Sequence, residues 1–188
     1  DFSEVPYIIK IMSGTPVWEI IASGGLIMGF TIFSWFTIKA AIGAPYVPTP
    51  MAAVKKMVKA AKIRKGDRIY DIGCGDGRVL YLAEKNGAQA TGFEISPAIY
   101  LLALIKKILK GAKMKIRFSD FRNNNLGDAD VIFCYLMPNM IKKNIQKFQK
   151  ELKPGTKIIS YAFRIWDWKE TEKIPKEPEK NIAPIWIY

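Results

Sequence analysis

The sequence predicts a doubly wound α/β domain with a mostly parallel sheet, preceded by one hydrophobic helix. Three observations carry this reading. From Pro45 onward, strand and helix signals alternate with short connections between them. A glycine-rich turn, Gly73-Cys74-Gly75-Asp76-Gly77, falls where the first strand hands over to a helix. Ahead of the domain, residues 20–38 contain no charge.

The uncharged segment comes first in the chain. Its nineteen residues, IIASGGLIMGFTIFSWFTI, lie between Glu19 and Lys39. As a helix they would be about 28 Å long, close to the hydrocarbon thickness of a bilayer. Trp18 at one end and Trp35 and Phe36 near the other stand where interfacial anchors often stand. A helix apolar on every side is hard to bury on a domain this small, so a single membrane span over 20–38 is expected, within an anchor segment of residues 1–43. Charges before it (Asp1, Glu4, Lys10, Glu19) sum to −2, which does not suit a signal peptide. The chain also starts without methionine, so an earlier start is expected. Seven basic residues and no acid lie between Lys39 and Lys65, and the positive-inside rule then places the following domain on the cytoplasmic side. Gly25 and Gly29 form a GxxxG, a weak signal on its own.

The domain itself is expected over 44–188. Pro-rich APYVPTP leads into it, and Pro50 opens a helix running to about Lys62, with Met51, Val54, Met57, Val58 and Ala61 at helical spacing. Lys65-Gly66-Asp67 is a turn. Strands are expected over 68–72, 89–94, 114–118, 130–134 and 157–162, with two more around 169–174 and 182–188. Helices are expected over 77–86, from a Ser96 cap to Gly111, and from Pro138 to about Leu152. No room remains for a long helix after the fifth strand.

Composition narrows the chemistry. The chain has 188 residues and no histidine, which removes the usual general base, the Ser-His-Asp arrangement and most transition-metal sites. Cys74 and Cys134 are far apart and form no CxxC, so neither a zinc site nor a disulfide framework is expected. A cofactor that brings its own reactive group suits such a chain. The net charge of +12 favours anionic partners or a solvated lysine-rich surface.

The central motif reads Tyr70-Asp71-Ile72-Gly73-Cys74-Gly75-Asp76-Gly77-Arg78. Glycines at alternate positions bring the backbone close to a ligand, and the helix that follows offers unpaired N–H groups. Glu94, 21 residues after Gly73, stands at the end of the second strand, where an acid reaches ribose hydroxyls in nucleotide-binding α/β folds. A dinucleotide fingerprint would place its third glycine where Arg78 stands.

This DxGxGxG form resembles motif I of the class I S-adenosylmethionine-dependent methyltransferases, and implies their seven-stranded, Rossmann-like sheet. The resemblance implies that Gly73, Cys74, Gly75 and Gly77 line the cofactor, Asp71 holds its methionine amino group and Glu94 its ribose, with Ile95 alongside. It also implies that Asp120 meets the adenine amino group and Phe121 packs on the ring. APYVPTP, YDIGCGDGR, GFEISP, CYLMP and ELKPGTKIIS, in this order, narrow the resemblance to the small membrane-anchored protein-lysine methyltransferases. Mitochondrial members of that family modify the ATP synthase c-subunit and the adenine nucleotide translocase. On that resemblance Tyr46, Pro48, Thr49 and Pro50 pack over the cofactor entrance.

Tyr135, at the end of the fourth strand, is the candidate for lining the acceptor channel; its ring and hydroxyl suit an amine. The expected partners are a membrane and a protein lysine, with no metal and no nucleic acid. Two rivals stand beside this reading: a nucleic-acid or small-molecule methyltransferase on the same fold, and a membrane-bound protein that binds the cofactor without turnover. The NPPY-type tetrad of amino-group nucleic-acid methyltransferases is absent after the fourth strand. Tyr81 and Lys85 form a YxxxK on a helix where that dehydrogenase pair does not belong, and Arg164, Trp166 and Trp168 read as packing for the last strands.

Overall fold

The computed structural model describes residues 17–42, 46–166 and 168–188; within its first helix the described side chains are those of 18–32, 34 and 35. The chain divides into two compact units, Asp1–Pro45 and Tyr46–Tyr188.

In the first unit, helix α1 covers Val17–Ile42. Its hydroxyls close onto their own backbone: Ser23 Oγ donates to the Ile20 carbonyl and Thr31 Oγ1 to that of Met28. Trp18, Ile21, Leu26, Ile27, Met28 and Phe30 are exposed. Among the described residues, no helix is long and apolar enough to cross a membrane. The span expected over 20–38 is therefore not established by the structure, and the side chains of residues 33 and 36–38 lie outside the described set.

The second unit is a seven-stranded sheet. Its strands are β1 Arg68–Ile72, β2 Gln89–Glu94, β3 Lys115–Phe118, β4 Val131–Cys134, β5 Lys157–Tyr161, β6 Glu172–Ile174 and β7 Ile185–Ile187. They lie in the order β3-β2-β1-β4-β5-β7-β6. The first five are parallel, and β7 enters antiparallel between β5 and β6. Helices α2 Met51–Ala61, α3 Arg78–Lys85, α4 Pro97–Leu109 and α5 Pro138–Glu151 connect or cover the strands.

Alternation along the central strands sorts their side chains into two cores. Ile69, Ala90, Val131, Phe133, Ile159 and Tyr161 pack with Val54, Met57 and Val58 of α2 and Val79 and Leu80 of α3. Ile72, Phe93, Ile132, Cys134 and Ile158 face the other way, onto Ile141 and Phe148 of α5. β4, buried at every position, is the middle of this sandwich. The helix boundaries differ from expectation by a residue or two. Pro50 stands just before α2 at φ −55 and ψ 139, where its missing N–H costs nothing, and Lys62 ends that helix in a left-handed conformation.

Candidate cofactor site at the carboxyl edge of the sheet

Strand order reverses between β1 and β4, the point at which open α/β sheets leave a crevice at their carboxyl ends. The glycine loop crosses that crevice. Gly73, Gly75 and Gly77 all have positive φ. At Gly75 the reason is double: φ is +55, and a Cβ would stand 2.9 Å from Cε2 of Tyr46. The amides of Gly73 and Cys74 both donate to the Phe93 carbonyl at 3.0 Å, so the loop hangs from the end of β2. Glu94 completes the attachment. Its Oε2 accepts from Gly75 N at 3.0 Å and its Oε1 from Ser96 N at 2.8 Å. Each carboxylate oxygen keeps a further lone pair for a ligand hydroxyl.

Asp71 is buried beneath this loop and accepts no hydrogen bond from the described residues. Burial, then the nearby charges of Glu94 and Asp76, push its carboxyl up to about 8. A cation delivered beside it would relieve that penalty. Asp76 behaves in the opposite way. Burial opposes its charge, but hydrogen bonds from Arg78 and Lys106 outweigh this and hold its carboxyl well below the usual range. Burial also raises both thiols: Cys74 lies far above the usual range and Cys134 is pushed up to about 12. Neither is a thiolate nucleophile at neutral pH. Among the described residues, no group of histidine, cysteine, aspartate and glutamate is placed to hold a metal ion.

The entrance segment is tied to the loop by a network that motif reading missed. Arg78 Nε donates to Asp76 Oδ1 at 2.8 Å and Nη2 to Oδ2 at 2.7 Å, while Nη1 donates to the Thr49 carbonyl at 2.7 Å. Lys106 of α4 reaches the same carboxylate. Thr49 is buried, Pro50 half-buried, and Tyr46 and Pro48 are exposed. Of the quoted APYVPTP, Ala44 and Pro45 lie outside the described residues.

Asp120 and Phe121 follow β3, but both already have structural partners. Asp120 Oδ1 accepts from Arg122 N at 2.9 Å, capping the 3-10 turn Phe121–Asn123, and its Oδ2 accepts from Arg122 Nε at 2.8 Å. The hydrogen bond from the Arg122 side chain lowers its pKa. Phe121 is buried, stacked on Phe148 with centroids 6.4 Å apart. Ile95, beside Glu94, is exposed. At the end of β4, Leu136 Cδ2 would lie 3.6 Å from a Cβ on Gly73. Its neighbour Tyr135 is half-buried, edge-on to Tyr161 at 4.9 Å and stacked near Phe163 at 6.1 Å. Burial, then Tyr161, raises the Tyr135 phenol, so it stays neutral at neutral pH.

The remaining aromatics are accounted for by packing. Tyr81 sits between Lys85 and Lys110, whose ammonium groups lie 5.0 and 4.2 Å from its ring centroid. Arg164 covers the rings of Trp166 and Trp186 and pairs with Glu170, and Trp168 is edge-on to Tyr188.

Comparison with known proteins points the same way. The model of the ANTKMT methyltransferase domain matches residues 71–172. A protein-lysine N-methyltransferase of Saccharolobus islandicus (strain REY15A) is 35% identical over 148 residues, covering 77% of this chain and 92% of that protein. The lysine N-methyltransferase of the ATP synthase c-subunit from Xenopus laevis is 27% identical, over 80% of this chain and 70% of its own. Among solved structures, an RNA methyltransferase from Salinibacter ruber in complex with S-adenosyl-L-homocysteine superposes with a TM-score of 0.71 at 28% identity. That likeness covers 76% of this chain and 92% of the other.

Proposed function

The chain belongs to the ANTKMT methyltransferase family and is an S-adenosylmethionine-dependent protein-lysine N-methyltransferase, and on that premise we propose how its residues work and where it acts. The observation that carries the site assignment is the buried, unpartnered Asp71 carboxyl under a loop that only glycine backbone can follow. These residues fit the cofactor. Asp71 suits its ammonium, Glu94 its ribose diol, and the glycine backbone of the loop, which Tyr46 covers at Gly75, the close approach of its main body. Gly73, Cys74 and Gly77 shape the same cradle. Tyr46, Pro48, Thr49 and Pro50 border its entrance, and Ile95 flanks the sugar-binding end. Asp120, which caps the turn after β3, and Phe121, whose ring packs on Phe148, are given a structural role in this reading.

Bound S-adenosylmethionine supplies an activated methyl group. The chain has to align a neutral lysine amine with it and keep water out. Tyr135, edge-on to the buried Tyr161 and stacked near Phe163, is proposed as an aromatic wall of the acceptor channel. That wall takes up the methylene stem and the ammonium of an arriving lysine by cation–π attraction, and the ammonium gives its proton to solvent before the methyl group is transferred. Partial burial lowers the amine's own pKa and favours the nucleophilic form. Tyr135→Phe should keep the wall and retain most activity, whereas Tyr135→Ala should lower kcat about tenfold to a hundredfold with cofactor affinity nearly unchanged. Equal loss of cofactor binding in a calorimeter would assign Tyr135 a structural role instead.

The Xenopus laevis relative is named for the c-subunit of ATP synthase, and the substrate proposed here is a lysine on a membrane protein. α1 is proposed as a single-pass anchor with the catalytic unit on the cytoplasmic side. Its apolar surface and the inward-closing hydroxyls of Ser23 and Thr31 support this. A second reading, methylation of RNA, is favoured by the Salinibacter ruber likeness and the +12 charge. Incubating the protein with isotope-labelled cofactor and native membranes separates the two. Label on lysine side chains supports the first reading, and label in nuclease-sensitive material supports the second.

A further inference from the structure

α4 is an apolar helix with its apolar side turned outward. Of the thirteen residues in Pro97–Leu109, only Ala103 is buried. Leu101, Ile105, Ile108 and Leu109 are exposed, the last two by 76% and 79%. At 100° per residue these four fall on one face, with Ala98 between them. Phe118 on the edge strand β3 is exposed too, and packs on Tyr100 at 5.3 Å. The cofactor site uses none of these side chains. A contiguous apolar face of this kind marks a contact surface.

Charge selects the occupant. Residues 95–119 carry Lys106, Lys107, Lys110, Lys113, Lys115 and Arg117, and no acid. Lys110, Lys113, Lys115 and Arg117 are exposed around the end of the helix and along the edge strand. A second copy of the chain docking here would bring two such basic rims together, whereas an anionic lipid surface complements the rim and takes up the leucines and isoleucines below its headgroups. We propose that the outer face of α4, with Phe118, lies on an anionic bilayer surface. This contact belongs to the catalytic unit itself, and rests on neither the anchor nor the acceptor proposed above. α4 begins two residues after Ile95, so the contact holds the cofactor crevice near the headgroup level. Lysines that emerge close to the bilayer are then the ones within reach.

The test uses the full chain carrying Ile105→Cys, labelled with an environment-sensitive maleimide; Cys74 and Cys134 are buried. It is reconstituted into phosphatidylcholine vesicles with or without phosphatidylglycerol. The expected result is a blue shift of the label and its quenching by brominated lipid in the anionic vesicles, both lost at high salt. A label at Lys142→Cys, exposed on α5, should show neither change. The same full chain in detergent provides the lipid-free comparison. No quenching at position 105, or equal quenching at both positions, would overturn the proposal. So would a blue shift in lipid-free detergent that grows with protein concentration, since a second copy would then cover the face. The readout needs no methyl transfer, so its failure is separable from failure of the proposed substrate class.

Discussion

Asp71→Asn is expected to weaken S-adenosylmethionine binding roughly tenfold to a hundredfold, while making the ligand-free protein more heat-stable near pH 8. The first effect is the loss of a charge-assisted hydrogen bond, worth about 1.5–3 kcal/mol. The second follows from the same burial. In the folded, ligand-free protein the Asp71 carboxyl is raised from 3.8 to about 8. A group raised in this way contributes stability that is fully present below its unfolded value and is lost as pH rises through the folded one. Between those limits the unfolded chain gives up a proton that the folded protein keeps, so unfolding is favoured. Asparagine has the same shape and no such titration. The thermal midpoints of variant and wild type should therefore converge near pH 4 and separate, in favour of the variant, toward pH 8. Binding also carries a proton signature. At about pH 6 the ligand's amino group is charged and Asp71 is not, so cofactor uptake should release a proton in the wild type and none in the variant. Calorimetry in two buffers of different ionisation enthalpy reads this directly. Unchanged affinity in Asp71→Asn, with proton release intact, would remove Asp71 from the cofactor's amino group.

Gly92→Ala is the second large effect. Gly92 does not owe its identity to a left-handed backbone, because it lies within a regular parallel strand. The cause is contact: a Cβ there would stand 2.5 Å from Leu80 Cδ1 and 2.6 Å from both Cβ and Sγ of Cys74. Leu80 is fully buried and Cys74 nearly so, and neither has room to retreat. Overpacking of this kind costs about 1–3 kcal/mol. Cys74 is also part of the glycine loop, so its displacement should reach the cofactor. A thermal midpoint lower by several degrees, together with at least about tenfold weaker S-adenosylmethionine binding, is the expected outcome. A variant that binds normally despite a lowered midpoint would mean that the loop moves independently of the packing beneath it.

The parts of this fold that sequence makes legible are those written in punctuation. Gly66, Gly87, Gly111 and Gly155 close turns that bound elements, Pro97 and Pro138 open helices, and the unbroken apolar run of β4 marks the buried centre. What spacing does not encode is pairing across distance. Nothing along the chain announces that Lys106 reaches back thirty residues to Asp76, or that Arg78 turns to the Thr49 carbonyl. Those contacts exist only once α4 and the entrance segment are packed. The insertion of β7 between β5 and β6 is likewise invisible to periodicity, which locates strands and not their neighbours. Resemblance has its own limit, shown by Phe121. The residue stands where the motif places it, yet its ring is in the core against Phe148. Glu94 shows the reverse: its distance from the glycine turn singles the residue out, and the fold adds a bracing role through Gly75 and Ser96. α4 is legible as a helix, but its outward apolar face depends on which side the sheet covers.

All of these effects converge on the crevice between β1 and β4. Titration of the purified protein with S-adenosylmethionine, and separately with a nicotinamide dinucleotide, tests it most directly. The account predicts saturable heat for the sulfonium cofactor, abolished or strongly weakened in Asp71→Asn, and none for the dinucleotide. Heat for the dinucleotide alone would contradict it.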